Sequence, residues 1–141
     1  MGSEYMEEYK KPSLTVDIFI CNDKKEFLLI KRKNDPFKDY WAFPGGFVDY
    51  GECVEDAALR EAKEETSIDV ELSKLFGVYS KANRDPRGHT VSIVFLAKGN
   101  FADRKADDDA KEIKIFTFDE AFNTDLAFDH NDILKDIYMS L

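Results

Sequence analysis

The 141-residue chain is poor in cysteine and has no long apolar run, and each shortage removes a class of protein. Its two cysteines, Cys21 and Cys53, form neither a CxxC pair nor a zinc spacing, so we expect no disulfide scaffold and no structural zinc. No apolar run approaches the roughly 18 residues of a membrane span, and the N-terminus is acidic rather than basic and then apolar. We therefore expect a cytoplasmic protein that is neither secreted nor inserted in a membrane.

Basic residues are also in the minority. The chain has 20 Lys and Arg against 29 Asp and Glu, which gives a formal net charge of −9. A surface field of this sign repels polyanions, so neither nucleic acid nor an anionic membrane is an expected partner. A small anionic substrate would need cations placed locally around it.

What the chain does contain is enough apolar material for one domain. Hydrophobic residues make up 43% of it, and 12 of its residues are phenylalanine, which fits one full core better than two small ones. Residues 1–12, MGSEYMEEYKKP, are polar, so we assign them to a flexible tail in which Met6 is an alternative start. The single domain is then expected over residues 13–141. The oligomeric state stays open, and a homodimer is one of the alternatives.

Strand-like and helix-like segments are mixed along the chain. The segments SLTVDIFI and EFLLIKRK, separated by a polar turn, predict a hairpin whose second strand ends on a basic edge. Further strands are predicted for VELSKLFGVYS, HTVSIVFLAKG and IKIFTF, with NFADRKADDDAKE as a charged loop. A helix is predicted from Cys53 to about Thr66, and DEAFN and DHNDILKDIYMSL add helical turns. This order indicates an α+β fold, an α/β/α sandwich with a mixed sheet between helices.

The predicted helix carries an unusual concentration of acids. With 100° per residue, Glu61, Glu64 and Glu65 fall within about 100° of one another. Like charges spaced three or four residues apart each cost about 0.2 to 0.5 kcal/mol. Arg60 is the one helix base placed to pair with these acids or with Asp56, so the acidic face needs an explanation.

The remaining helix positions define a packing face and a gap. Ala57 is small and lies at the centre of the acidic face, so we expect room for a bound group there. Lys63 points to the opposite side. The packing face is predicted to consist of Ala58, Leu59, Ala62 and Thr66.

Two interpretations of the acidic face stay open on this pattern alone. The simpler one is a solvated acidic surface, which is what most charge runs are. The other is a divalent-cation site, since hard carboxylate oxygens on adjacent turns suit Mg²⁺ or Mn²⁺, with water and a phosphate completing the shell. Only the second gives a reason for the glycines that precede the helix.

The same stretch resembles the Nudix box, Gly-x5-Glu-x7-Arg-Glu-U-x-Glu-Glu-x-Gly-U, where U is a bulky apolar or small aliphatic residue. Gly46 and Glu52 stand at the first two fixed positions, REAKEET fills residues 60–66, and Ile68 fits the last position. Ser67 departs from the pattern, which has Gly there. We expect this substitution to affect the turn after the helix, because Gly is the usual residue for a left-handed helix end.

The resemblance implies a hydrolase with a mixed sheet flanked by helices. It implies that Glu61, Glu64 and Glu65 bind Mg²⁺ or, as a substitute, Mn²⁺, and that the carbonyl of Gly45 or Gly46 adds a ligand. Clustered metal ions would supply charge neutralisation and an oriented water for pyrophosphate hydrolysis.

The resemblance also implies roles around the metal. Arg60 would orient the carboxylates and Glu52 would support the site. Glu112, in the segment DDDAKE, resembles an acid that many Nudix members supply from a loop before a late strand. It is therefore our candidate for the general base or for an extra ligand, with a solvated loop acid as the alternative.

Two other stretches, SKANRDPRGHTVSIVFLA and LAFDHNDIL, are similar to segments of Nudix enzymes that cleave ADP-ribose and of Nudix regulators that sense it. Arg84 and Arg87 flank a proline-stiffened turn, with His89 beside them, and could bind a diphosphate or a terminal ribose. The alternative is that Arg84 and Asp85 only brace this loop.

Aromatic residues offer a second contact to substrate. Phe43, Phe47 and Phe128 could stack on adenine, although phenylalanines of this kind more often belong to the core, and Trp41 is assigned to the core. His130, together with the preceding Asp129, is expected to cap the last helix.

We therefore expect an Mg²⁺-dependent Nudix pyrophosphohydrolase that converts ADP-ribose to AMP and ribose 5-phosphate. The enzymatic alternative is the same chemistry on another nucleotide, such as NADH, a nucleotide sugar or an oxidised nucleotide. The non-enzymatic alternative is an ADP-ribose sensor, which in relatives accompanies a DNA-binding winged helix. We expect no such domain here, because this 141-residue chain ends with DILKDIYMSL.

Overall fold

The computed structural model describes residues 10–106 and 110–141, which form seven strands, three α-helices and one 3₁₀ turn, Phe101–Asp103. The strands are β1 (Ser13–Cys21), β2 (Phe27–Arg32), β3 (Trp41–Ala42), β4 (Gly45–Phe47), β5 (Glu71–Tyr79), β6 (Thr90–Lys98) and β7 (Ala110–Phe116). The helices are α1 (Val54–Thr66), α2 (Phe118–Phe122) and α3 (His130–Met139). None of these helices is long and apolar enough to cross a membrane.

The strands form one mixed sheet in which a wedge opens between β1 and β2. These two strands pair only beside their turn, where Cys21 lies opposite Phe27. They then separate, and the segment 41–47 fills the space, because β3 pairs with β2 and β4 pairs with β1. Strand β1 is parallel to β6 along its whole length, and β7 lies against β2. The predicted hairpin is therefore confirmed only at its turn end.

Apolar side chains cover both faces of the sheet. Because neighbouring side chains of a strand point to opposite faces, Val16, Ile18 and Ile20 of β1 pack on α1, while Phe19 packs with α2 and α3. The predicted α/β/α arrangement with a mixed sheet is confirmed. Helix α2 is short but well capped, since Thr117 and Glu120 form a reciprocal capping box.

Helix α1 ends where the sequence departs from the Nudix pattern. Ser67 adopts a left-handed conformation with φ of 64°, and its N–H donates to the carbonyl of Lys63. The turn thus keeps the geometry that usually favours Gly. The hydroxyl of Ser67 donates to the carbonyl of Lys105 at 3.2 Å, which anchors the residue in this conformation.

Three expectations about secondary structure and packing were wrong. Leu59 was assigned to the packing face of α1 but is 39% exposed, whereas Ala57 is fully buried in the core and leaves no space beneath the acids. Strand β7 begins at Ala110, so Glu112 lies within a strand and not in the charged loop before it. The sequence DDDAKE is polar enough to predict a loop, but pairing with β2 extends the strand into it.

The core gives the first testable prediction. Leu28 of β2 is completely buried in the core cluster that includes residues of α1, so Leu28→Ala should lower the free energy of unfolding by about 2 to 5 kcal/mol, through lost burial and the cavity left behind. Chemical denaturation measures this. Leu75→Ala makes the same chemical change at a side chain that is 48% exposed and should cost less than about 1 kcal/mol. Equal losses in the two variants would contradict this core assignment.

Candidate active site

The glycines before α1 allow the helix carboxylates to approach the backbone. A Cβ atom on Gly46 would lie 2.6 Å from the carboxyl carbon of Glu61, and one on Gly45 would lie 2.1 Å from the carbonyl oxygen of Val16. The N–H of Gly45 donates to Oε2 of Glu65 at 2.8 Å. Residues with side chains cannot occupy these two positions without displacing either β1 or the acidic face of α1.

Arg60 connects the acids of the helix to the loop that precedes it. Its Nε and Nη2 donate to the two carboxylate oxygens of Glu52 at 2.8 and 2.9 Å. Its Nη1 donates to Glu61 at 2.8 Å and to Glu64 at 3.2 Å, and Nη2 also reaches the carbonyl of Phe47 at 3.0 Å. One planar guanidinium group therefore fixes the positions of three carboxylates, which a lysine could not do.

The electrostatics of this cluster follow from its geometry. The hydrogen bonds from Arg60, together with one from the backbone N–H of Asp49, lower the pKa of Glu52 to about 2. In return, the hydrogen bond to Glu52 and the interactions with Glu61 raise the pKa of Arg60 above its ordinary value, although burial opposes the shift. Both groups are therefore charged at neutral pH.

The acidic face has the donor chemistry of a divalent-cation site. Glu61 and Glu64 point to one side of Arg60, and their side chains are 12% and 44% exposed, while Glu65 is buried beside Gly45. Carboxylate oxygens next to a close glycine backbone fit a hard cation. Within residues 10–106 and 110–141, however, no three acidic, imidazole or thiol groups already converge on one point. Arg60 holds Glu61 and Glu64 in this structure.

Beside the acidic face lies a cavity of about 220 Å³. Thr15 and Asp17 of β1 line it, as do Gly45, Gly46 and Glu65 from the acidic site, so the two features form one continuous site. Its basic and aromatic lining residues are Arg32, Lys33, Arg84, Arg87, Phe43, Phe47 and Phe128. A negatively charged chain thus places four bases around a single opening, as an anionic substrate requires.

Arg84 and Arg87 are both brought to this cavity, but they differ in their partners. Arg84 makes a two-pronged ion pair with Asp129, at 2.8 and 2.6 Å, and only 4% of its side chain is exposed. Arg87 pairs with the buried Asp85 and remains 43% exposed. The loop-bracing alternative therefore describes the contacts of Arg84 and Asp85, whereas Arg87 also presents a free edge to solvent.

Aromatic rings support Arg87. Its guanidinium carbon lies 5.1 Å from the ring centre of Phe47 and 5.6 Å from that of Phe128. Phe47 is 45% exposed, whereas Phe43 is 2% exposed and packs edge-on against Phe19 in the core. Of the three phenylalanines considered for adenine stacking, Phe47 has the most accessible ring, and Phe43 forms part of the buried wall.

His130 has a different role from the expected cap. Asp129 is the residue before α3, but it makes no capping hydrogen bond because its carboxylate is engaged by Arg84. The Nδ1 atom of His130 accepts the N–H of Phe43 at 3.1 Å, so the proton is on Nε2, 3.6 Å from Oδ1 of Asp17. The ring therefore ties α3 to the segment that leads into Gly45 and Gly46.

Asp17 is a buried acid that the sequence interpretation missed. Ser92 donates to its second oxygen. Burial alone would raise the pKa of Asp17, but His130, Ser92 and Arg84 together lower it below its ordinary value. Its signal in the sequence was a single acid inside the apolar run SLTVDIFI. Arg32 was missed as well, although the basic end of β2 had been noted.

Two predicted site residues belong neither to the cavity lining nor to the cluster around Arg60. The exposed ring of His89 makes a 2.9 Å hydrogen bond with the carbonyl of Ser80. Glu112 is exposed on β7, opposite Lys31 of β2. The structure brings together the other predicted residues, in two groups. The cation group consists of Gly45, Glu52, Arg60, Glu61, Glu64 and Glu65, and the cavity group of Phe43, Arg84 and Arg87.

Comparison with known proteins identifies the class to which this site belongs. The NUDIX domain model matches residues 11–137, and the chain is a member of this family. Proteins of the family generally use a divalent metal. The predicted family membership is confirmed.

Individual relatives refine the comparison. The chain is 51% identical over 128 residues to an ADP-ribose pyrophosphatase of Methanocaldococcus jannaschii, covering 91% of this chain and 74% of that protein. It is 36% identical to an ADPR responsive transcriptional repressor of Acinetobacter baylyi, covering 95% of this chain but only 56% of the repressor. The NUDIX domain of Shewanella oneidensis NrtR, solved with ADP ribose, superimposes with a TM-score of 0.80 at 27% identity, covering 99% and 98% of the two chains.

The Arg60 cluster predicts an unusual titration. In metal-free protein, the carboxyl carbon of Glu52 should titrate near pH 2 rather than near its ordinary 4.5, as measured by NMR. As pH falls from 4.5 towards 2, the unfolded chain gains a proton at Glu52 before the folded chain does. The contribution of Glu52 to stability is therefore complete above this window and is lost on acidification through it.

Arg60→Met should return the midpoint of Glu52 towards 4.5. Lys63→Met removes a base from the same helix that pairs with Asp69 instead, and it should leave the midpoint unchanged. A parent protein in which Glu52 titrates near 4.5 would show that Arg60 does not hold this carboxylate in solution.

Proposed function

We propose that this protein is an Mg²⁺-dependent ADP-ribose pyrophosphatase that produces AMP and ribose 5-phosphate. The observation that carries the proposal is one continuous site in which an acidic helix face meets a basic, aromatic cavity, with Glu65 and Arg87 lining the same opening. An acidic face alone fits many metal sites, and a basic cavity alone fits many anions. Their combination fits a diphosphate that is bound and cleaved in one place. The 51% identity to an ADP-ribose pyrophosphatase supports the choice of substrate.

Glu61, Glu64 and Glu65, with the carbonyl of Gly45, would hold the cation. When bound, Mg²⁺ would neutralise charge on the non-bridging phosphate oxygens and lower the pKa of a water molecule. Of the two proposed cation ligands that Arg60 holds, Glu64 is more exposed than Glu61 and is therefore the one better placed to meet solvent and substrate. Arg60 and Glu52 would position these groups without touching the substrate.

The cavity would hold the rest of the substrate. Arg87 would donate its free edge to phosphate oxygens, and the exposed ring of Phe47 would offer a surface for the adenine base. Arg84, already neutralised by Asp129, would mainly keep the loop in place. His89 and Glu112 stay proposals for substrate contact and for the base, respectively, and both would need a rearrangement on substrate binding because neither lines the cavity or joins the cluster around Arg60.

Turnover tests the proposal directly. Purified protein with Mg²⁺ and ADP-ribose should release AMP and ribose 5-phosphate, and in ¹⁸O-labelled water the label should enter one of the two products, which identifies the attacked phosphorus. EDTA should abolish turnover reversibly. NADH, nucleotide sugars and oxidised nucleotides should be poorer substrates, by kcat/KM. If one of these compounds is turned over with a higher kcat/KM than ADP-ribose, that compound is the better assignment of the substrate. Tight ADP-ribose binding without turnover would favour a sensor.

A charge-neutral substitution tests the metal ligands. Glu64→Gln should lower kcat by about two to four orders of magnitude, because it removes one charge from the cation site and with it several kcal/mol of transition-state stabilisation. Glu55→Gln makes the same change at an exposed first-turn position of α1 and should retain activity within about twofold of the parent. Steady-state kinetics at saturating Mg²⁺ compare them. Activity of Glu64→Gln within tenfold of the parent would exclude Glu64 as an essential ligand.

Glu112→Gln tests the proposed general base with the same kinetic measurement. A base contributes about 10² to 10⁴ in rate, so loss of this size without a change in the Mg²⁺ requirement would support Glu112 in that role. An unchanged kcat would exclude Glu112 as the general base.

A further inference from the structure

Arg32 lies at the end of β2, and it makes no direct ion pair with a carboxylate in the part of the chain that the structure describes. Its Nε donates to the carbonyl of Pro36 at 2.8 Å. Across residues 10–106 and 110–141, neither of its terminal nitrogens meets a hydrogen-bond acceptor, and no acid lies within ion-pair distance. The residue is only half-buried and lines the cavity, so these N–H groups face solvent inside it.

Arg32 and Arg87 are gathered on one aromatic ring. The guanidinium carbon of Arg32 lies 5.0 Å from the ring centre of Phe128, and that of Arg87 lies 5.6 Å from the same centre. Arg87 binds Asp85 through Nε and Nη2, which leaves Nη1 without an acceptor in the described residues. Burial, followed by repulsion from Arg87, lowers the pKa of Arg32 from its ordinary value, although the charges of Glu65, Asp17 and Asp85 oppose the shift. The fold thus holds two like charges together at a cost that an anion between them would remove.

We propose that Arg32 and Arg87 form a two-armed clamp for the diphosphate of the substrate, with Phe128 as the platform that sets their spacing. This inference deepens the proposed function and rests on it for the identity of the substrate. Two guanidinium edges offer directional N–H donors, which suit phosphate oxygens better than point charges do. Phe128 restricts the motion of both arms before the ligand arrives, so less rotamer entropy is lost on binding.

The clamp and the cation site share the cavity. Glu65, Gly45, Arg32 and Arg87 all line the same opening. A diphosphate held between them would have one set of oxygens toward the carboxylates and their cation and another toward the arginines. Arg32 would therefore act in substrate binding rather than in the chemical step.

The test measures binding of inorganic pyrophosphate to metal-free protein by calorimetry, which needs no turnover. The parent should bind, and Arg32→Ala should weaken binding by about ten- to hundredfold, as expected for loss of charge-assisted hydrogen bonds. Arg32→Lys should recover only part of the affinity, because an ammonium group lacks the planar fork. Lys31→Ala removes a positive charge from the adjacent position, where the side chain lies over Trp41 and does not line the cavity, and it should bind like the parent.

Kinetics with ADP-ribose then connects the clamp to the reaction. Arg32→Ala should raise KM much more than it lowers kcat, since the contact is made equally in the ground and transition states. Parent-like pyrophosphate affinity in both Arg32 variants, or no binding by the parent, would overturn the clamp. If Arg32→Ala does not fold, Arg32→Lys still tests the clamp. A pyrophosphate affinity of Arg32→Lys equal to that of the parent would contradict a contact that needs the planar guanidinium fork. A parent that binds pyrophosphate but does not hydrolyse ADP-ribose would refute the proposed function and leave the clamp standing.

Discussion

The guanidinium group of Arg60 is the contact on which the site depends. It lies between Glu52, Glu61 and Glu64 and also reaches the carbonyl of Phe47, so the loop before α1 and the acidic face of α1 share one hydrogen-bond donor group. Without a cation of this shape, three carboxylates would repel one another and the loop would lose its attachment to the helix. The ion pairs of Arg60 therefore neutralise these acids and also hold the loop against the helix.

A second constraint is the close approach of backbone and carboxylate at Gly45 and Gly46. These residues fill the wedge between β1 and β2, and the N–H of Gly45 holds Glu65. On the other side of the same segment, His130 accepts the N–H of Phe43 and faces Asp17. Contacts with α1, β1 and α3 thus hold β4 and the residues before it in place. This explains how so short a strand can form part of the active site.

Arginines that look alike in the sequence have different roles around the cavity. Arg84 is buried and neutralised by Asp129, so its main contribution is to connect the loop before β6 to the start of α3. Arg87 is braced by Asp85 but stays partly exposed, and Arg32 donates a single bond to the backbone. Burial and partner number, rather than residue type, decide which of these charges is available to an anion.

By itself the sequence determined the family, the α/β/α class, helix α1 and the acidic face of Glu61, Glu64 and Glu65, because these follow from spacing within a short stretch of chain. The Gly of the family pattern marks the position of the left-handed helix end, but the expected effect of Ser67 on this turn is not seen, since Ser67 adopts the same conformation. Tertiary structure alone decided that β1 pairs mainly with β6, and that Asp17 and Arg32 reach a cavity shared with residues more than fifty positions away. Strand pairing and burial depend on contacts distant in sequence, so no local pattern encodes them.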